Sequence, residues 1–354
     1  MNSDLRCALT LLVGLLALCG PAGGDEHQSE PSIGTRLGIQ HDHFTLDGTP
    51  TFLLGVSYYG GLGTSADFLD RDLDDLQRLG FNWVRVWATW DSFGENVPAV
   101  DQSGAARPPY LQRLQSLVTE CDRRHMIVDV TLARSRRTKK SANSVHLPDQ
   151  ESHEQAVATI IEALRPHRNW YMDLANERDV GDDRFVGIDD LTKLRDLVRK
   201  RDPDLLVTAS FGGHDLTRDD LVNALQMAGL DFLSVHRPRP ARSPQQTEAR
   251  TREVLEIASD MKLLAPVHHQ EPFRRGYAAW QPKASDFLMD LSGALKGCAA
   301  GWCFHNGSEK TTPDSQPRRS FDLSKSRLFD QLDAEELKVV RNAKPVMVEA
   351  LKSR

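Results

Sequence analysis

In this 354-residue chain the carboxylates best placed for chemistry are Glu177 and Glu271, because each stands where a short apolar run gives way to polar residues. NWYMDLA (169–175) leads into Asn176 and Glu177, and LLAPVH (263–268) leads into Glu271. Comparable runs are followed or ended by Tyr58 and Tyr59, Trp87 and Trp90, Arg134, His236, and Trp302 with His305. Two carboxylates among aromatic rings are the equipment for breaking a glycosidic bond. One acid protonates the leaving oxygen, the other carboxylate meets the oxocarbenium-like carbon, and flat rings stack on sugar faces. His268, His269 and Glu271 are also metal-ligand types, but a His-His-x-Glu run on a strand sends alternate side chains to opposite faces, so the ligands diverge. No metal and no cofactor is expected.

Eight such β-type runs can be read: TFLLGVS (51–57), NWVRVW (82–87), MIVDVTL (126–132), NWYMDLA (169–175), LLVTAS (205–210), LDFLSV (230–235), LLAPVH (263–268) and AAGWCF (299–304). Amphipathic stretches lie between them. Phe68, Leu69, Leu73, Leu76 and Leu79 share one helical face, as do Leu111, Leu114, Leu117 and Val118, and Leu191, Leu194, Leu197 and Val198. A repeat of about 35 residues per strand–helix unit predicts a single (β/α)8 TIM barrel, whose chemistry sits where strands end and loops begin. GVSYYGGLG (55–63) lacks the GxGxxG spacing, so a nucleotide-binding fold loses support.

A formal charge of −6 argues against nucleic acid as a partner. The five cysteines, at 7, 19, 121, 298 and 303, are too scattered for a disulfide scaffold or a zinc module. Residues 7–19 form a 13-residue apolar run after Arg6 and before small residues, which reads as a signal peptide over 1–24. The run is too short to span a bilayer, so no integral membrane span is expected and the product is secreted or periplasmic. Cys19 follows Leu16, Ala17 and Leu18, a lipobox-like setting spoiled by the bulky Leu18; lipid anchoring is the lesser expectation. Residues 25–43 are then a flexible lead-in and 44–354 the barrel, closed by a helix over 331–352.

The sequence resembles the clan A glycoside hydrolases, most closely the cellulase-like family 5. The resemblance runs over residues 44 to 306: FTLDGTPTFLLGVSYY (44–59), DLDDLQRLGFNWVRVW (72–87), the Asn-Glu segment MDLANERD (172–179), HHQEPFR (268–274) and GWCFHNG (301–307). It implies a retaining hydrolase of β-glycosidic bonds, with Glu177 as general acid/base and Glu271 as nucleophile. It further implies that Asn176 binds the sugar 2-hydroxyl, that Arg85 orients Glu271, and that Trp302 floors the subsite of the distorted sugar. Tyr58 and His236 complete the substrate contacts.

The family's tyrosine after strand 6 and histidine near the end of strand 3 are missing, since His236-Arg237-Pro238 and Leu132-Ala133-Arg134 stand there. Tyr58 and Tyr277 are the candidates to replace that tyrosine. The same gaps leave open a catalytically silent carbohydrate-binding barrel, and the fold alone leaves open a metal-dependent sugar isomerase. Arg134, Arg136, Arg137, Lys139 and Lys140, then Arg237, Arg239 and Arg242, then Arg274 and Arg275 follow strands 3, 6 and 7. They would gather positive charge at the barrel mouth of an acidic protein, as an anionic glycan partner would require.

Overall fold

The structure is a computed structural model that describes residues 34–92, 95–135, 146–275, 280–305 and 321–352. The N-terminal segment with Cys19, the basic residues Arg136, Arg137, Lys139 and Lys140, and Tyr277 lie outside the described residues.

The described chain opens with a small antiparallel sheet, β1 (Leu37–Gln40), β2 (His43–Leu46) and β3 (Thr49–Thr51). Asp47 and Gly48 join β2 to β3 with φ of 51° and 78°, the left-handed pair that a tight two-residue hairpin turn needs. Leu37 and Phe44 pack with Leu53, Trp83, Ile127, Tyr171 and Phe232. The lead-in expected to run to residue 43 is therefore structured from Leu37, because these apolar side chains cap the foot of the barrel.

Next come β4 (Leu53–Ser57), β5 (Trp83–Trp87), a hairpin of β6 (Asp91–Ser92) and β7 (Glu95–Asn96), then β8 (Ile127–Thr131) and β9 (Trp170–Asp173). β10 (Val207–Thr208), β11 (Ser210–Phe211), β12 (Leu233–Val235), β13 (Val267–His269) and β14 (Gly301–Phe304) follow. β10 pairs with β9 and β11 with β12, so these two short pieces are one strand position interrupted at Ala209. β14 pairs with β4, and every contact in this sheet is parallel. Eight strand positions close a ring, each overlapping one of the eight runs read from the sequence.

The helices are α1 (Ala66–Arg78), α2 (Tyr110–Asp122), α3 (Gln150–Leu164), α4 (Ile188–Arg201), α5 (Arg218–Leu221), α6 (Ser243–Asp260), α7 (Ala284–Lys296), α8 (Leu328–Gln331) and α9 (Ala334–Lys352). In α1 the Ser65 hydroxyl caps the first turn by accepting from the Phe68 amide at 3.2 Å, and Leu69, Leu73 and Leu76 turn one buried face to the sheet. The closing helix is α9, packed on α7 through Val339, Val340 and Ala343. No helix among the described residues is long and apolar enough to cross a membrane.

Strand alternation divides the core in two. Leu54, Val56, Val84, Val86, Val128, Val130, Met172, Trp302 and Phe304 face outward into the layer beneath the helices. Leu53, Trp83, Ile127, Tyr171 and Cys303 belong to the separate interior cluster. Gly55 is required there, because a Cβ would stand 1.7 Å from the Trp83 ring. Above this apolar floor the interior turns polar, with Arg85, Asp129, Asp173, Ser210 and Gln270 all fully buried. That polar layer carries the site.

Candidate active site

Arg85, on β5, is the hub. Its guanidinium is fully buried and uses all three nitrogens: Nε donates to Thr131 Oγ1 (3.0 Å), Nη1 to Glu271 Oε1 (2.7 Å) and Tyr59 Oη (3.2 Å), and Nη2 to Asp173 Oδ2 (3.1 Å) and Asn176 Oδ1 (2.9 Å). Asp129 Oδ2 lies 3.4 Å from Nε. Because Asn176 spends its amide oxygen on Arg85, its NH2 group is left to donate into the cleft, as a contact to a sugar hydroxyl requires.

Glu177 follows β9 with a φ of 47°, a conformation that costs a non-glycine residue about 1–3 kcal/mol. The neighbouring strand fixes it there: Ser210 Oγ accepts from the Glu177 amide at 3.0 Å and Ser210 O from the Arg178 amide at 2.9 Å. Glu271 arrives after β13, where its amide and that of Gln270 both donate to Val235 O, at 3.4 and 3.2 Å. One carboxylate oxygen of each glutamate and a ring nitrogen of His236 lie within 4.8 Å of one another. His236 is fully buried, with Nδ1 3.3 Å from Glu177 Oε1 and Nε2 3.0 Å from Gln270 Oε1. Gln270 donates to the Asp129 carboxylate, so its amide oxygen faces His236 and keeps a proton on Nε2. Nδ1 and Glu177 then share whatever proton lies between them.

Both glutamates are charged. Burial raises the Glu271 carboxyl, but His236, His305, Arg85 and Arg239 outweigh it and hold it well below its ordinary value. His305 is itself kept neutral by burial, so the permanent charges on Glu271 are the two guanidiniums. Burial and the charge of Glu271 raise Glu177, yet the His236 hydrogen bond and the fields of His236 and Arg239 bring it down to about 2. Beneath the glutamates, Asp129 is pushed up to about 7 by burial against the pull of Arg85.

Tyr58 and Trp302 are corrections. Odd positions of β4 face the interior and the parity continues past its end, so Tyr59 enters the site while Tyr58 turns outward to donate to Asp72 Oδ2 of α1 at 3.0 Å. Tyr59 donates to Glu271 Oε1 and lies 2.8 Å from His305 Nδ1, occupying the role left empty after strand 6. Trp302 also faces outward, its indole nitrogen donating to Asp290 Oδ2 of α7 at 2.7 Å; it does not floor the cleft. The residue that β14 delivers to the site is His305.

The cleft, about 300 Å³, is lined by Tyr59, Trp87, Trp90, Asn176, Glu177 and Glu271, with Arg134, Arg184, Arg239 and Arg274 at its edges. Trp87 and Trp90 are, with Tyr59, its aromatic surfaces, and the buried Trp87 Nε1 has no hydrogen-bond partner. Several arginines expected at the mouth hold the scaffold together instead. Arg134 pairs with Asp190 at 2.9 Å, Arg237 with Asp215 at 3.0 Å, and Arg275 with Asp333. Arg239 does reach the glutamates, 2.7 Å from Glu271 Oε2 and 3.6 Å from Glu177 Oε1. Arg184, which sequence reading did not single out, bonds Glu177 Oε2. Glu177, His236 and Glu271 are the one group among the described residues spaced to meet a cation, but arginines already engage their oxygens.

The barrel fold recurs in solved structures of glycoside hydrolases, to which this chain is similar in fold. A glycoside hydrolase family 5 mannosidase from Rhizomucor miehei matches with a TM-score of 0.61 at 14% identity, over 91% of this chain and 99% of that one. A family 5 protein from Bacteroides vulgatus matches at 0.64 and 13% identity, over 89% and 71%. The endo-β-1,4-mannanase of Thermotoga petrophila matches at 0.59 and 13%, over 86% and 78%. No family model matches the sequence, and no curated protein is similar to it.

Proposed function

We propose that the protein is an exported, retaining glycoside hydrolase that cleaves β-glycosidic bonds of an oligo- or polysaccharide. The observation that carries this reading is the placement of Glu177, Glu271 and His236 within 4.8 Å of one another around the buried Arg85. Carboxylate oxygens this close are in keeping with a retaining pair, whose carboxyls stand about 5–5.5 Å apart rather than the wider spacing of an inverting one. In the first step Glu271 forms a bond to the anomeric carbon as the bond to the leaving oxygen breaks, and Glu177 gives that oxygen its proton. In the second, Glu177 takes a proton from water, whose oxygen replaces Glu271 at the same carbon. Arg85 and Tyr59 fix the nucleophile, Asn176 donates to the 2-hydroxyl, and Trp87 and Trp90 offer faces for the ring. The solved neighbours named as mannosidase and mannanase make β-mannosidic linkages the first to try.

Replacing Glu271 with Gly should abolish turnover, and azide should restore part of it by entering the vacated space as a nucleophile. Activity of the Gly variant unaltered by azide and close to wild type would refute Glu271 as nucleophile. A silent carbohydrate-binding barrel is the second reading, favoured by the arginine contacts on both glutamates; glycan binding without hydrolysis by any variant would establish it.

A further inference from the structure

Arg239 Nη2 lies 2.7 Å from Glu271 Oε2 and 3.6 Å from Glu177 Oε1, so one guanidinium spans the gap in which a glycosidic bond would have to lie. Arg85 and Tyr59 both hold Glu271 Oε1, which leaves Oε2 as the oxygen that would attack, and this is the oxygen that Arg239 covers. On the other carboxylate, Arg184 takes Oε2 while His236 faces Oε1. As it stands, the nucleophile is blocked and both oxygens of the acid are engaged.

These two arginines differ from Arg85 in how they are held. Arg85 is built into β5 and completely enclosed. Arg184 comes from the loop between β9 and α4, with a third of its side chain exposed and a second carboxylate, Asp182, beside it on the same loop at 2.8 Å. Arg239 comes from the loop between β12 and α6 and lines the cleft, with a tenth of its side chain exposed. Side chains on loops can leave the glutamates without disturbing the barrel; Arg85 cannot.

We infer that Arg184 and Arg239 are a displaceable guanidinium latch over the two glutamates, released by a carboxylate carried on the substrate, so that the cleft acts on uronic-acid glycans in preference to neutral ones. The inference rests on the hydrolase reading of this site. A neutral sugar entering the cleft breaks charge-assisted hydrogen bonds and returns nothing of equal strength, and each such bond is worth roughly 10- to 100-fold in an equilibrium. A uronate presents the same planar carboxylate that the guanidinium fork already holds, so the exchange is like for like. Once Arg184 and Arg239 have moved to the substrate, Glu271 Oε2 is open to the anomeric carbon. Glu177, relieved of two positive neighbours, is then easier to protonate and can act as acid.

The test uses β-linked oligosaccharides matched except at C6, glucose against glucuronic acid and mannose against mannuronic acid, with wild type, Arg184→Gln and Arg239→Gln. For wild type, kcat/KM should favour the uronate by about 10-fold or more, with the preference shrinking at ~0.5 M salt. Arg239→Gln should lose the preference from both sides, cleaving the uronate more slowly and the neutral partner faster. Arg184→Gln should cleave the neutral partner faster and keep its acid protonated to higher pH. Equal cleavage of both partners by wild type, or an equal fall on both in Arg239→Gln, would overturn the latch and leave the hydrolase standing. If no oligosaccharide is cleaved by any of the three proteins, the hydrolase reading fails, and calorimetric titration decides the latch separately. Uronate binding that disappears in Arg239→Gln supports it, and equal or absent binding of the two sugars overturns it.

Discussion

Tyr59 reaches Glu271 across the barrel mouth and donates to Oε1, the same oxygen that Arg85 holds at 2.7 Å, so that two donors from adjacent strands aim one carboxylate oxygen and leave the other toward the cleft. Burial pushes the Tyr59 phenol well above its ordinary value, so it stays a donor at any working pH. Tyr59→Phe removes one donor from charged Glu271. Turnover is expected to fall about 10- to 1000-fold with KM changed far less. Because a donor to the charged form holds a pKa down, the acid limb of the kcat/KM profile should move to higher pH. An unchanged acid limb with normal turnover would show that the phenol only fills space.

Arg85→Lys keeps the charge and loses the fork that meets Glu271, Asp173 and Asn176 together. A residue that only orients Glu271 would change turnover with little change in folding midpoint. The buried position between Asp129, Asp173 and Glu271 says otherwise, because weakening a fully enclosed ion cluster costs about 3–5 kcal/mol. Denaturant titration of the lysine variant should show a loss of that order along with a large drop in specific activity. Wild-type stability would mean the guanidinium is not the hub of the polar layer.

Glu177 carries a stability signature of opposite kind to an ordinary catalytic acid. Its carboxyl is lowered to about 2 from an ordinary value near 4.5, so the charged form contributes stability that is present above about pH 4.5 and is lost as pH falls toward 2. Glu177→Gln should therefore be less stable than wild type at pH 7, by about 2–3 kcal/mol, and the gap should close as pH is lowered from 5. Thermal midpoints of the two proteins across that range measure it. A variant more stable than wild type at pH 7 would show that burial and the repulsion of Glu271 outweigh the attraction of His236 and Arg239 for the Glu177 charge.

The eight strand positions were legible because their β-branched and aromatic residues stand out against the intervening helical periodicity. Which side chains face inward was not. Strands buried on both faces carry no polar alternation to set their phase. AAGWCF gives no sign that Cys303 points in and Trp302 out, and VSYY gives none that Tyr59 rather than Tyr58 enters the site. A one-residue shift in phase exchanges the two faces completely. Fixing the phase from Arg85, a charged residue that must find partners inside, and carrying it to the neighbouring strands would have corrected both. Asp47-Gly48 was a readable hairpin signal for β2 and β3. Arg184 had no such signal, since it sits in an aperiodic loop and meets Glu177 only through the path of that loop. Glu177 stands ionised because the His236 hydrogen bond and the fields of His236 and Arg239 lower it, and these partners arrive from other strands and loops.

Mass spectrometry of the protein after incubation with an activated 2-deoxy-2-fluoro glycoside of its best substrate asks whether Glu271 becomes covalently glycosylated. A double displacement at this site should leave one sugar adduct, mapped by proteolysis to the peptide bearing Glu271 and absent in Glu271→Gln. Hydrolysis of the parent substrate with no adduct, or with the adduct on a residue other than Glu271, would contradict the assignment of the two glutamates.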